Sequence, residues 1–194
     1  ELLLNRLSKS KKINKIVVVT TEKEEDDILV NFIKKIGFEY FRGSEKNVLD
    51  RYYQAAKIYN PSNIIRITGD CPLIDPVVVD NVIQLHEDKD YDYCTNTFPS
   101  TFPDGLDVEI FKATALEECH AKAHTNLEKE HVTLFLKEND NFVKGNYFHS
   151  KDLSNERWTV DEICDFEVVE NIFVNFYPNI YFSFSEIIQL SIDK

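Results

Sequence analysis

Unbroken runs of apolar residues, separated by segments of helical periodicity, constrain the fold of this chain most strongly. Residues 16–19 read Ile-Val-Val-Val, and residues 64–68 form a second, mainly aliphatic stretch. Runs without polar alternation are typical of strands that are buried on both faces. Taken with shorter apolar stretches, they predict strands at residues 16–19, 38–41, 64–68, 91–95, 106–111, 142–148 and 157–160.

Helices are predicted between and after these strands. The apolar residues within 24–36 repeat at helical spacing, and Gly37 follows as a stop signal. Asn47 and Asp75 are suitable N-caps for the helices that follow them. The predicted helices are residues 2–7, 24–36, 48–56, 76–85, 113–123, 127–137, 166–176 and 186–192. Alternating strands and helices predict one α/β domain, with a mostly parallel sheet covered by helices on both faces.

Composition narrows the class of protein further. A chain of 194 residues can bury its own hydrophobic core. Acidic residues outnumber basic ones, 34 to 22, and the net charge of −12 argues against a surface for binding nucleic acid. The four cysteines are widely spaced, which argues against a zinc site and is typical of reduced thiols. No stretch approaches the roughly 20 apolar residues of a membrane helix, so a cytoplasmic protein is expected.

Two acidic residues follow predicted strands at the edge where such sheets bind ligands. Asp70 comes after residues 64–68, and Asp161 comes after residues 157–160. Carboxylates in these positions predict a shared Mg²⁺ site. Each residue also has a structural interpretation, because Asp70 can cap a turn or the next helix, and Asp161 can be a helix N-cap.

A Pro-Asp-Gly turn at Asp104 precedes a segment in which polar and apolar residues alternate. Alternation places Asp107 and Glu109 on one face of the predicted strand. Two carboxylates on a strand face beside a crevice can hold sugar hydroxyls or amines. A solvated face explains the pattern equally well.

Arginine is scarce, with only five in the chain, and three positions bear on binding. Arg42 is predicted just after a short strand, a position suited to a phosphate or planar group. Arg51 lies in the next helix, where a surface ion pair is the alternative, and Arg66 lies inside a buried strand, where it is expected to neutralise an acid. His131, beside Glu130, falls in a predicted helix, where a lone histidine is more often structural. The chain lacks the glycine-rich loops of dinucleotide and P-loop proteins and the GxSxG elbow of hydrolases.

Five segments, taken in order, resemble the cytidylyltransferases of the spore-coat polysaccharide biosynthesis type. These enzymes are relatives of those that make CMP-ketodeoxyoctulosonate and CMP-sialic acids. The matching segments are residues 41–44 with 48–56, 66–76, 102–111, 130–133 and 159–161. The resemblance implies a nucleotide-diphospho-sugar transferase-like α/β domain that joins CTP to a sugar or sugar acid, giving a CMP-sugar and pyrophosphate.

The resemblance also implies roles for individual residues. Asp70 and Asp161 correspond to the catalytic acids that bind Mg²⁺ in the family. The nucleotide pocket is implied for Arg42, Ser44 and Arg51. The sugar is implied to lie near five further side chains, Asp104, Asp107, Glu109, Glu130 and His131.

Three expectations concern the state of the protein. The resemblance implies a homodimer, and the aromatic residues between 173 and 184 exceed what one helix face needs to bury. The chain begins with Glu1, and the family's first strand and its phosphate-gripping loop would lie upstream, so the 194-residue chain alone is expected to be inactive. A glycosyltransferase of the same broad fold, or a non-catalytic module that binds a nucleotide or a partner, stays open as an alternative.

Overall fold

The computed structural model describes residues 1–192 as strands and helices in alternation. The strands are β1 (Val17–Thr21), β2 (Glu39–Gly43), β3 (Asn63–Arg66), β4 (Tyr93–Thr95), β5 (Glu109–Lys112) and β6 (Lys144–Asn146). The helices are α1 (Leu2–Leu7), α2 (Asp27–Lys35), α3 (Val48–Tyr59), α4 (Pro76–Lys89), α5 (Ala113–Lys122), α6 (Asn126–Glu130), α7 (Leu134–Glu138), α8 (Ile163–Phe176) and α9 (Phe184–Ile192). A short 3₁₀ turn, Glu24–Asp26, leads into α2. None of the helices described is long and apolar enough to cross a bilayer.

The strands form two sheets with mixed directions. β1 and β2 pair in parallel, and the second sheet has the order β3-β5-β4-β6. β5 runs antiparallel to both β3 and β4, whereas β4 and β6 are parallel. The predicted α/β class is confirmed, but β5 departs from the mostly parallel arrangement. No helix separates β4 from β5, so the chain returns antiparallel instead of crossing over.

Two predicted elements differ in the structure. Residues 157–160 do not form a strand, and their β-type backbone pairing is limited to an isolated bridge between Arg157 and Asp104. The helix predicted over residues 127–137 is divided into α6 and α7 by a turn at Val132. Val132 has φ +54° and is fully buried, so burial of its side chain holds the backbone in a conformation that a β-branched residue rarely adopts.

Helix caps set the start of the two helices that flank the second sheet's first strand. The side chain of Asn47 accepts a hydrogen bond from Asp50 N at the start of α3. Asp75 Oδ1 accepts one from Val77 N at 2.8 Å, and Pro76 occupies the first position of α4. Both caps are where the sequence predicted them. Because Asp75 caps α4, the carboxylate of Asp70 does not serve as the cap of this helix.

The second sheet separates two hydrophobic cores. Alternate residues of a strand point to opposite faces, and in β5 Ile110 joins the larger core while Phe111 joins the smaller one. β4 divides in the same way, with Cys94 in the larger core and Tyr93 in the smaller. The larger core is covered by α4, α8 and α9, and the smaller by α3, α5 and α7. β5, an interior strand of the second sheet, is therefore packed on both faces.

A buried arginine joins α1 to two distant parts of the chain. Arg6 is 1% exposed, and its guanidinium donates hydrogen bonds to the carbonyls of Leu73, Ile74, Ile180 and Phe182 at 2.6–3.1 Å. Burial lowers the pKa of Arg6 to about 10, and the nearby Asp75 carboxylate opposes this shift. The cation is therefore stabilised chiefly by backbone carbonyls that would otherwise lose their partners.

Replacing Arg6 by Met is expected to destabilise the protein by at least about 2–3 kcal/mol, because several buried carbonyls lose their donor. Urea unfolding of the two proteins measures this difference. The control is Lys35→Met on exposed α2, which is expected to stay within about 0.5 kcal/mol of the unchanged protein. Equal stability of the Arg6→Met variant would show that these carbonyls do not need the guanidinium.

Candidate functional site

The loops that carry Asp70 and Asp161 are in direct contact. Val160 N donates a hydrogen bond to Asp70 O at 2.9 Å, and Thr159 Oγ1 donates to the same carbonyl at 3.3 Å. Asp70 follows β3 by four residues, as expected for the carboxyl end of a strand. Asp161 follows an irregular segment, yet it reaches the same edge. The two acids are thus neighbours although 91 positions separate them.

Arg157 fixes three of the acidic residues around this edge. Its guanidinium lies 2.9 Å from Asp104 Oδ2, 2.7 Å from Asp161 Oδ2 and 2.9 Å from Asp165 Oδ1. Asp165 also accepts the backbone N–H groups of residues 161 and 162, which cap the start of α8. The hydrogen bonds that Arg157 donates to Asp165 and Asp161 raise the pKa of Arg157. The N-cap is Glu162, so Asp161 is not the helix cap that its sequence position allowed.

Gly105 is the point at which the turn at Asp104 is pressed against the segment before Asp161. The two segments exchange backbone hydrogen bonds, from Asp104 N to Glu156 O and from Trp158 N to Asp104 O. Gly105 has φ +105°, and a Cβ there would lie 2.6 Å from the backbone of Trp158 and Thr159. Only glycine allows this approach, which brings Asp104 to Arg157.

Glu109 is buried beneath the site and is saturated by partners. Arg66 Nη1 lies 2.6 Å from Oε2, and Lys137 Nζ lies 2.8 Å from Oε1. The hydroxyls of Tyr93 and Thr133 donate to Oε1 at 2.6 and 2.7 Å. Burial alone would raise the pKa of Glu109, but Arg66 and Lys137 lower it to about 2. In the structure this carboxylate is occupied by protein side chains, and the sugar contact of Glu109 stays a prediction.

A small polar cavity opens above Glu109. It has a volume of about 80 Å³, which is enough for several water molecules. The predicted strand face is only partly correct, since β5 begins at Glu109 and Asp107 lies two residues before it. Both carboxylates nevertheless line the cavity. The lining residues are Arg66, Thr68, Thr97, Asp107, Glu109 and Lys137.

Asp107 differs from Glu109 in its electrostatics. Burial raises the pKa of Asp107 to about 6, with the negative charges of Asp104 and Glu109 adding to the effect and Lys137 opposing it. A half-buried carboxylate with a raised pKa, at a cavity wall, is typical of functional sites.

A larger cleft of about 330 Å³ lies elsewhere, between the segment around Ser10–Ile16 and the turn around Gly37–Glu39. Both segments precede β1 and β2, so this cleft lies at the amino ends of the strands. Parallel strands bind ligands at their carboxyl ends, and the smaller cavity is therefore the better candidate.

The residues predicted to bind a nucleotide lie near β2. Arg42 is inside β2 and not after it, and its guanidinium contacts Thr21 O, Lys23 O and Asp27 Oδ1 at 2.6–2.8 Å. Ser44 Oγ accepts a hydrogen bond from Asn47 N. These bonds use Arg42 to fix the segment after β1.

Arg51 is the more available cation of this group. Its side chain packs against Gly43, where a Cβ would lie 3.0 Å from Arg51 Cγ. Burial lowers the pKa of Arg51, and its buried Nε has no hydrogen-bond partner within residues 1–192. The nucleotide role of Arg42, Ser44 and Arg51 stays a prediction.

Glu130 and His131 do not reach the cavity. Both are exposed, at the end of α6 and in the turn that follows it. The residue of this segment that contacts the site is Thr133, through Glu109. The predicted sugar contacts of Glu130 and His131 are therefore not supported by their positions.

Asp70 and Asp161 carry the carboxylate type that Mg²⁺ prefers and their loops are in contact, but a shared Mg²⁺ site stays a prediction. Mg²⁺ is usually held by one or two carboxylates, with waters and substrate phosphates completing its coordination. Within residues 1–192 the carboxylate of Asp70 accepts only a 3.6 Å contact from the Cys71 thiol, and Asp161 uses one oxygen for Arg157. No group of three or more His, Cys, Asp or Glu side chains able to hold a metal occurs in the described part of the chain. A site completed by phosphate suits this donor set.

Lys137 and Arg157 are the important side chains that sequence reasoning did not assign to the site. Arg157 had a signal, because it stands next to a predicted acidic site in a chain with few arginines. Lys137 had none, since it is one of many lysines at helix ends and its partner Glu109 is 28 positions away.

Sequence comparisons place the chain among cytidylyltransferases. The family model described as cytidylyltransferase matches residues 1–189. An uncharacterized protein of Methanocaldococcus jannaschii is 40% identical over 87% of this chain and 69% of its own length. The spore coat polysaccharide biosynthesis protein SpsF of Bacillus subtilis is 33% identical over 89% of this chain and 74% of its own.

Structural comparisons agree with this result. A cytidylyltransferase from Leptospira borgpetersenii superposes with a TM-score of 0.92 at 35% identity, covering 97% of this chain and 80% of the other. CMP:2-keto-3-deoxy-manno-octonic acid synthetase, solved with CTP, superposes with a TM-score of 0.65 at 11% identity, covering 90% and 88%. The second likeness shows a shared fold.

Acid is expected to unfold the protein through Glu109. Its folded pKa of about 2 lies below the ordinary value of 4.5, so its contribution to stability is complete above pH 4.5 and is lost as the pH falls toward 2. Glu109→Gln leaves Arg66 and Lys137 uncompensated and is expected to cost about 3–5 kcal/mol near neutral pH. Urea unfolding between pH 3 and 7 measures both effects. A variant with the wild-type pH profile would contradict this account of Glu109.

Gly105→Ala is expected to destabilise the protein, because its Cβ would force apart the backbones that meet at this point. The strain of positive φ adds about 1 kcal/mol or more to that effect. Thermal unfolding and the crystal structure of the variant provide the measurement. Gly69→Ala is the matched control, since a Cβ there meets nothing within 4 Å. Comparable loss of stability in both variants would show that the contact at Gly105 is not the cause.

Proposed function

The chain belongs to the cytidylyltransferase family, and we propose that this nucleotidyltransferase couples CTP to a sugar or sugar acid, releasing pyrophosphate and giving a CMP-sugar. The observation that carries the proposal is the contact between the loops of Asp70 and Asp161, beside a cavity of mixed charge. The names of two similar proteins support it: one is a spore coat polysaccharide biosynthesis protein, and the other is a CMP-sugar-acid synthetase solved with CTP.

In this proposal the residues position the reactants and balance charge, which is the main work of phosphoryl-type transfer. Asp70 and Asp161 hold Mg²⁺, which when bound neutralises phosphate charge and polarises the α-phosphate. Arg157 keeps Asp161 and Asp104 in place beside the neighbouring loop. Arg51, with its unpaired Nε, is the cation that the structure offers for the nucleotide.

The sugar is proposed to lie over the cavity, where threonine hydroxyls, Lys137 and Asp107 face one another. Such a lining offers donors and acceptors for hydroxyl groups and a cation for an acidic group. Asp104, which pairs with Arg157 and whose charge acts on Asp107, is proposed for the same subsite. A glycosyltransferase of similar fold, or a non-catalytic module, is not favoured, because the family match supports nucleotidyl transfer.

We also propose that the protein forms a homodimer. Phe173, Phe176 and Phe182 pack on one another inside the larger core. Tyr177 and Tyr181 remain 83% and 51% exposed, so part of the aromatic stretch is free to meet a second copy. The proposal therefore also includes a role in polysaccharide biosynthesis, a homodimer and a dependence of activity on Mg²⁺.

Pyrophosphate release from CTP, with a panel of sugars and sugar acids, tests the function in the full-length protein, including any residues that precede Glu1. Asp70→Asn and Asp161→Asn are each expected to lower turnover by about 100-fold or more and to raise the Mg²⁺ concentration needed for activity. Asp140→Asn is the control, because that side chain is fully exposed. Nucleoside diphosphate release from a nucleotide-sugar, without pyrophosphate from CTP, would instead indicate a glycosyltransferase.

A further inference from the structure

Asp107 is the one cavity-lining acid whose carboxylate is not already engaged. Within residues 1–192 its side chain forms no hydrogen bond or ion pair. Glu109 beside it has four partners, and Asp104 and Asp161 are both bound to Arg157. An unengaged carboxylate that is half-buried costs stability, so its retention at this wall calls for a chemical explanation.

The surroundings of Asp107 tune the carboxylate without neutralising it. Burial is the main cause of its raised pKa, and the negative charges of Asp104, Glu109 and Asp70 add to that effect. Lys137 on α7 is the opposing cation, and Arg66 on β3 lines the same cavity. Glu109 holds both cations, which limits their attraction for Asp107. The pKa of about 6 that results leaves Asp107 ionised at neutral pH but more basic than an ordinary aspartate.

Resting on the proposed function, we propose that Asp107 is the general base that accepts the proton of the attacking sugar hydroxyl. The hydroxyl oxygen forms a bond to the α-phosphorus of CTP, and the bond from that phosphorus to the β-phosphate oxygen breaks. Pyrophosphate leaves with the electron pair of that bond. The proton passes to a carboxylate oxygen of Asp107 and then to solvent.

The surroundings of Asp107 favour a role as general base over a role as a third ligand of Mg²⁺. Asp107 shares the cavity with Thr68 and Thr97, whose hydroxyls suit a hydroxyl-bearing reactant. Lys137 lines the same cavity, 2.8 Å from Glu109. Its positive charge would repel a divalent ion at Asp107, so this carboxylate is better suited to accept a proton. Asp70 and Asp161 remain the acids assigned to Mg²⁺.

Asp107→Asn in the full chain provides the test. The change is expected to lower kcat by about 100-fold or more and to remove the acidic limb of the pH profile of kcat/KM, which falls near pH 6 in the unchanged enzyme. The Mg²⁺ activation constant is expected to stay within about twofold. A large rise in that constant would assign Asp107 to the metal and overturn the proposal.

Stability supplies a second readout that a structural role would not give. The folded pKa of Asp107 is raised, so its ionised form opposes folding above about pH 6 and has no effect below the ordinary value of 3.8. Asp107→Asn is therefore expected to raise Tm at pH 8 and to leave it unchanged at pH 3.5. A fall in Tm at pH 8 would identify a structural carboxylate and contradict the proposal.

The two proposals fail in different ways. Absence of pyrophosphate release by the unchanged enzyme, with every sugar tested, overturns the proposed function and the role of Asp107 with it. Release by the unchanged enzyme, with full kcat or an unaltered acidic limb in Asp107→Asn, overturns only the general base. Asp140→Asn is the matched control and is expected to behave as the unchanged enzyme in each assay.

Discussion

The buried carboxylate of Glu109 is the interaction on which the site depends. Two cations, Arg66 and Lys137, meet it from β3 and α7, and the hydroxyls of Tyr93 and Thr133 complete its hydrogen bonds. Burying the carboxylate or either cation alone would cost several kcal/mol, and pairing the opposite charges offsets this cost. This arrangement lets the floor of the cavity carry charge while the sheet around it stays packed. Charged groups can then face a substrate from fixed positions.

Above this floor, the site is assembled from loops that are distant in sequence and joined through their backbones. Hydrogen bonds at Asp70 and Asp104 tie two loops to the segment of residues 156–160, and Arg157 adds ion pairs to the same junction. Groups held in place before substrate arrives do not have to reorganise during reaction. The acids of this site are thus positioned mainly by backbone contacts, with one arginine as the shared cation.

Local chemistry made part of this structure predictable. The buried runs, the caps at Asn47 and Asp75 and the loop position of Asp70 depend on nearby residues, and the α/β class follows from them. The break at Val132 was not predictable, because burial of one side chain overrides the helical periodicity around it. Nor was Lys137, whose role depends on a partner from another element. Asp107 was found through alternation, although the strand itself begins two residues later.

The arginine that holds α1 also orders events during synthesis. Arg6 is synthesised before two of the residues whose carbonyls accept its hydrogen bonds, Ile180 and Phe182, which follow it by 174 and 176 residues. Contacts with such large sequence separation form late, because the intervening chain must first be fixed. While the chain is being synthesised, the guanidinium of Arg6 therefore lacks two of its hydrogen-bond acceptors. The larger core, which includes Leu7 and Phe182, can close only after α8 and α9 have been synthesised.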